Sequence, residues 1–119
     1  MRNTIKKHQD FLTPDDTPVA RNAFFIIRTK SAKYQKDPRF GLIATKRTFK
    51  HAVDRNRAKR LLRVWIAKNE NFLISDMDYI FIARQPILDA TLTDGITAMS
   101  KALRYIMATI KNDKDTTNQ

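Results

Sequence analysis

Apolar positions along the chain fall into three short runs and two longer stripes of helical period. Ala23–Phe24–Phe25–Ile26–Ile27 is compact and rich in aromatic and β-branched residues, which predicts a buried strand. After a polar connection from Ser31 to Pro38, Arg39–Phe40–Gly41–Leu42–Ile43–Ala44–Thr45 predicts a second strand. Asp78–Tyr79–Ile80–Phe81–Ile82–Ala83–Arg84, closed by Pro86, predicts a third. Farther on, Ile96, Met99, Leu103, Ile106 and Ile110 step by three and four, and Asp94 with Thr93 can cap the helix that carries them. A short helix over Ile5–Leu12 is stopped by Pro14, Asp15–Asp16 and Pro18, which read as a loop.

The remaining helix, over Asp54–Lys68, is two-sided. At about 100° per residue, Ala58, Leu61, Leu62, Trp65 and Ile66 share one side. Arg55, Asn56, Arg57, Lys59, Arg60 and Arg63 share the other, with Val64 as an apolar intruder. Phe49, Ala52 and Val53 in the same phase would join the polar side. Either the chain changes course near Val53–Asp54, or a different neighbour buries those three. Helices flanking a small sheet predict a single α+β or α/β sandwich domain over 1–112, and 113–119 reads as a frayed polar tail.

Composition narrows the function. The 119 residues suffice for one domain, and the 42% that are hydrophobic suffice for one core. Lys and Arg number 23 against 12 Asp and Glu, a net charge of +11 that points to a polyanionic partner. The excess is local: residues 46–63 hold eight basic residues and one acid, Asp54, for +7. Residues 64–119 hold six basic and seven acidic residues, for −1. A solubility device would scatter such charge, whereas this pattern reads as a footprint. The chain has no Cys, which removes disulfides, thiolate nucleophiles and Cys-based zinc sites, and His8 and His51 alone make no metal cage. Apolar runs such as Tyr79–Ala83 are far short of a membrane span. The start, MRNTIKKHQDF, lacks the apolar stretch of a signal peptide, so a cytoplasmic protein is expected.

The window that carries the charge reads Thr45-Lys46-Arg47, then Ala52-Val53-Asp54-Arg55-Asn56-Arg57-Ala58-Lys59-Arg60-Leu61-Leu62-Arg63. It resembles the bacterial ribonuclease P protein component, whose signature is a basic pair at a strand end followed by A-V-x-R-N-R-x-K-R-x-x-R. Lys6-Lys7, Asp10-Phe11, Gly41-Leu42 and Asp78-Tyr79-Ile80-x-Ile82-Ala83-Arg84 extend the resemblance in the expected order over nearly the whole chain. It implies an αβββαβα fold with a left-handed crossover. It also implies an accessory subunit of an endoribonuclease, paired one to one with a catalytic, Mg2+-dependent RNA that removes the 5′ leader of precursor tRNA, and no cofactor on the protein itself. Lys46, Arg47, Lys50, Arg55, Asn56, Arg57, Lys59, Arg60 and Arg63 would contact RNA, and Phe11 and Phe25 would line the leader cleft. The family's second cleft aromatic is replaced here by the stretch Thr13-Pro14-Asp15-Asp16, and a tyrosine of some relatives aligns with Ile27.

The residue types suit that task. Arginine forks bind phosphate bidentately and stack on bases. Arg55, Lys59 and Arg63 recur every four residues and form a row. The Asn56 amide suits a base edge, a sugar hydroxyl or a metal-bound water, or else it caps the helix start. Phe25 serves the cleft or plain core packing, while Phe40, Phe81 and Trp65 are assigned to the core. Two rivals stand beside this reading. An unaided nuclease would draw on His51 or on Asp76 and Asp78, and a turn or cap role explains those acids more simply. A ribosomal-type RNA binder or a DNA reader would use the same helix in another setting.

Overall fold

The computed structural model describes residues 3–4, 18–31 and 38–117, with side chains over 18–30 and 38–110. Five strands form one sheet: β1 (Asn3–Thr4), β2 (Val19–Arg21), β3 (Phe25–Ser31), β4 (Arg39–Ile43) and β5 (Met77–Ala83), in the order β1-β4-β5-β3-β2. Helix α1 (Ala52–Ala67) lies between β4 and β5 in sequence, and helix α2 (Leu92–Thr117) follows β5. The β2–β3 and β3–β5 pairs are antiparallel, and β4 runs parallel to β5. The parallel pair needs a long crossover, which α1 supplies. The expected helix over Ile5–Leu12 lies outside the described residues, as does most of the Ser31–Pro38 connection. From β2 onward the order of elements is βββαβα, a mixed α/β fold.

Register sorts the side chains to two faces. On one, Phe25 pairs with Ala83, Ile27 with Phe81 and Thr29 with Tyr79, while Phe40 and Leu42 pair with Tyr79 and Phe81 from the other side. This face meets Ala58, Leu62, Trp65 and Ile66 of α1 and Met99, Leu103 and Ile106 of α2 in the hydrophobic core. Burying each of these larger side chains contributes roughly 1.5–3 kcal/mol, so the helices are held by packing rather than by propensity. The opposite face carries Ile26, Arg28, Lys30, Gly41, Ile43, Ile80 and Ile82. Ile80 is almost fully buried yet lies outside that core.

Several boundaries differ from the sequence expectation, each for a local reason. Strand β3 runs on through Ser31, because Arg28 and Lys30 alternate to the second face and do not interrupt the core face. Helix α2 starts at Leu92, and the Thr91 hydroxyl, rather than Thr93, accepts the Asp94 N–H at 3.1 Å. Asp94 sits in the first turn, where the helix dipole favours a negative charge. The α2 backbone stays helical through Thr117, past the last apolar position. Propagating a helix adds one hydrogen bond for each residue fixed, which carries it beyond its packed part.

Buried polar groups close the joints. Asn69, just past α1, donates through Nδ2 to the Trp65 carbonyl at 2.9 Å and to the Ile96 carbonyl at 3.3 Å, linking the two helices. Asp78 is fully buried and bonded by the Arg39 fork, Nε to Oδ1 at 2.9 Å and Nη2 to Oδ2 at 2.5 Å. The two residues are direct partners in the β4–β5 register, so the bidentate pair also fixes that register. Asp76 occupies the exposed turn before β5 at φ 65°, a left-handed conformation that Asp tolerates better than most residues.

Candidate RNA-binding surface

The basic surface begins where β4 ends. Thr45 organises a tight turn: its carbonyl accepts the Phe49 N–H at 2.8 Å, and its hydroxyl accepts the Thr48 N–H at 3.2 Å. Phe49 is buried and anchors this turn in the core, while Lys46, Arg47 and Lys50 are exposed around it. Helix α1 then starts at Ala52, with exposed His51 at its N-cap in extended conformation. This resolves the phase problem: Phe49 precedes the helix, and Ala52 and Val53 lie exposed on its first turn, Val53 at 71%.

Arg55 has a role that spacing does not predict. Its Nη1 donates to the Phe49 carbonyl at 2.9 Å and to the Lys50 carbonyl at 3.3 Å. The guanidinium is half-buried and ties the turn bearing Lys46, Arg47 and Lys50 to the helix. Its remaining N–H groups are still donors. Lys59 is also half-buried, whereas Asn56, Arg57, Arg60 and Arg63 are exposed. The outermost row of the helix is therefore Asn56, Arg57, Arg60 and Arg63, with Arg55 and Lys59 on its flank. Asn56 follows the first turn, so it is no cap, and its amide is presented among the arginines.

Phe25 is 0% exposed and packs against Trp65 with ring centroids 6.2 Å apart. It lies on the helix-covered face of the sheet and offers no ring surface to a base, so its role is core packing and not the leader cleft. Phe11 lies outside the described residues. Phe40, Phe81 and Trp65 pack in the core as expected.

The sequence reading missed a second group of cations. Arg21, Arg28 and Lys30 stand on the sheet face turned away from α1 and α2, interleaved with Ile26, Ile43, Ile80 and Ile82. Only the period-2 alternation through Phe25–Lys30 signalled them, and it becomes meaningful once the register shows which face the helices cover. Arg84, exposed at the end of β5, donates to the Asn22 carbonyl at 2.8 Å and so braces the β2–β3 turn. The residues of the nuclease rival are differently engaged: both carboxylate oxygens of Asp78 are held by Arg39, and Asp76 is in its exposed turn.

Comparison with known proteins agrees with this layout. The family model described as Ribonuclease P matches residues 1–107. The chain is 34% identical to the ribonuclease P protein component of Macrococcus caseolyticus, over 90% of this chain and 89% of that protein. It is 36% identical to that of Bacillus velezensis, over 87% and 88%. Its fold matches the Staphylococcus aureus RNase P protein with a TM-score of 0.72 at 28% identity, over 88% of this chain and 95% of that one. The Thermotoga maritima RNase P protein, at 19% identity, shares the fold with a TM-score of 0.68. With its signature helix presented on the surface of this fold, the chain belongs to the bacterial ribonuclease P protein family.

Proposed function

We propose that the chain binds the ribonuclease P RNA through α1 and the turn before it, and binds the 5′ leader of precursor tRNA on the second face of its sheet. In this reading the RNA subunit, with its Mg2+ ions, cuts the leader. The protein, one copy for each RNA, lowers the repulsion between two polyanions. It acts in the cytoplasm.

The observation that carries the proposal is the exposed row Asn56, Arg57, Arg60 and Arg63 beside a turn bearing Lys46, Arg47 and Lys50, held rigid by the Arg55 bridge and the buried Phe49. Preorganised cations spaced along one helix fit a phosphate backbone, and each contact releases counterions. The second face supports the leader assignment because Arg21, Arg28 and Lys30 stand beside the half-exposed Ile26, Ile43 and Ile82, which suits an extended single strand.

The test compares precursor and mature tRNA. The RNA–protein complex should bind the precursor more tightly than mature tRNA, and replacing Arg28 and Lys30 by Ala should erase the difference without weakening assembly with the RNA. Equal affinity for the two tRNAs with the unsubstituted protein would contradict the leader role.

A further inference from the structure

Two hollows lie side by side on α2, away from the α1 surface, and the first meets the second sheet face at Arg21. One, of about 770 Å3, runs between β2 and α2, with Ala20, Phe24, Ala98 and Ala102 among its walls and Arg21, Asp94 and Lys101 at its polar positions. The other, of about 630 Å3, lies between Phe72 and the outer face of α2, and is lined by Arg104 and Met107. Lys101 and Tyr105 line both. Tyr105 is 58% exposed, so its ring stands on the ridge between them. Lys101 precedes it by one helical turn, and Arg104 lies over the Phe72 ring at 5.9 Å. Among the described residues, Arg21 and Lys101 have no ion-pair partner.

We propose that this ridge is a second site for single-stranded RNA, in which an unpaired base stacks on Tyr105 and the flanking phosphates meet Lys101 and Arg104. An exposed aromatic ring bracketed by cations is the usual means of holding an unpaired base without reading sequence. The small side chains Ala20, Ala98 and Ala102 keep the adjoining floor low enough for a planar ring. The Asp94 carboxylate, across the same hollow, accepts base N–H groups and repels phosphate, which orients the base inward and the backbone toward Lys101. Both volumes are in the range of small-ligand sites. A duplex keeps its base faces stacked and would gain only the charge contacts. The site is separate from α1 and meets the second sheet face only at Arg21 on its rim, and it stands whether or not the chain assembles with ribonuclease P RNA.

The test uses the full chain labelled with 15N and carrying Arg57→Ala, Arg60→Ala and Arg63→Ala, which silences the α1 row. Hexaadenylate RNA is titrated while amide shifts are followed. The expected result is a set of shifts around Thr97–Tyr105 of α2. Tyr105→Ala should weaken that binding about tenfold, and Tyr105→Trp should restore it. Tyr105 is exposed, so its replacement leaves the fold in place, which the same spectra verify. Shifts confined to other surfaces, an unchanged affinity in Tyr105→Ala, or equal binding of a hexaglutamate peptide would overturn the proposal. These outcomes are read at named amides with a free oligonucleotide, so they are distinguishable from failure of the ribonuclease P reading.

Discussion

Gly95 sets how closely the start of α2 can approach α1. A Cβ there would fall 1.9 Å from Cε2 and 2.2 Å from Cζ2 of the buried Trp65 indole. Replacing a helical Gly by Ala gains up to about 1 kcal/mol of propensity, but forcing a methyl into a rigid ring costs about 1–3 kcal/mol. The steric cost wins. Gly95→Ala is therefore expected to lower the urea midpoint, and an unchanged or higher midpoint would show that α2 can shift at no cost. Tyr79 gives a second expectation at this scale. Burial pushes its phenol pKa above the ordinary value of 10.0, an effect that the Ile74 N–H bonded to its oxygen only partly offsets. The folded state thus holds this proton more tightly than the unfolded chain does. The associated stability is present below the unfolded pKa and is lost as pH rises from there through the folded value. Chemical denaturation above pH 10 should show a decline that is reduced in Tyr79→Phe, and identical slopes would remove the buried phenol as its cause.

Among the elements, α1 combines two tasks along separate stripes. Ala58, Leu62, Trp65 and Ile66 fasten it to the sheet, while Arg57, Arg60 and Arg63 face outward. Replacing these three arginines by Ala should leave thermal stability nearly unchanged, since exposed charges contribute little. The same change should reduce the slope of log K against log salt for RNA binding by about two to three, at roughly 0.7–0.9 for each lost phosphate contact. An unchanged slope would mean that the row faces solvent in the complex. Arg55→Ala should behave differently: amide exchange in the turn over Phe49 and Lys50 should quicken, because the side chain bonds both carbonyls. Unaltered exchange there would show that Phe49 alone holds the turn. These stripes were readable from the 3.6-residue period, but Arg55 was read only as one of the row. Its carbonyl contacts depend on a turn that no periodicity describes. Strand β2 was missed because three residues beside Pro18 carry no repeat, and Phe25 was left between cleft and core because a lone strand does not reveal which face its helices will cover. The strands with aromatic and β-branched runs, β3 and β5, were legible because burial on a packed sheet demands that composition.

For the molecule as a whole, the fold divides its surfaces by the physics of the sheet. One face is closed by two helices around an aromatic and aliphatic core, and the other keeps cations between its isoleucines. The crossover from β4 through α1 to β5 places the densest positive charge at one end of the parallel pair. There buried Phe49 anchors the basic turn, while the Arg39–Asp78 pair fixes the register of the two strands at their other end. The charge footprint and the family were legible in the sequence because both reside in contiguous residues. The division of labour between faces was not, because it arises only when distant strands pair. The most direct measurement of the central claim mixes the purified protein with a bacterial ribonuclease P RNA and 5′-labelled precursor tRNA at low Mg2+, with each component also tested alone. The expected result is cleavage at the mature 5′ end only when protein and RNA are both present. Cleavage by the protein alone, or no stimulation of the RNA despite tight binding, would contradict it.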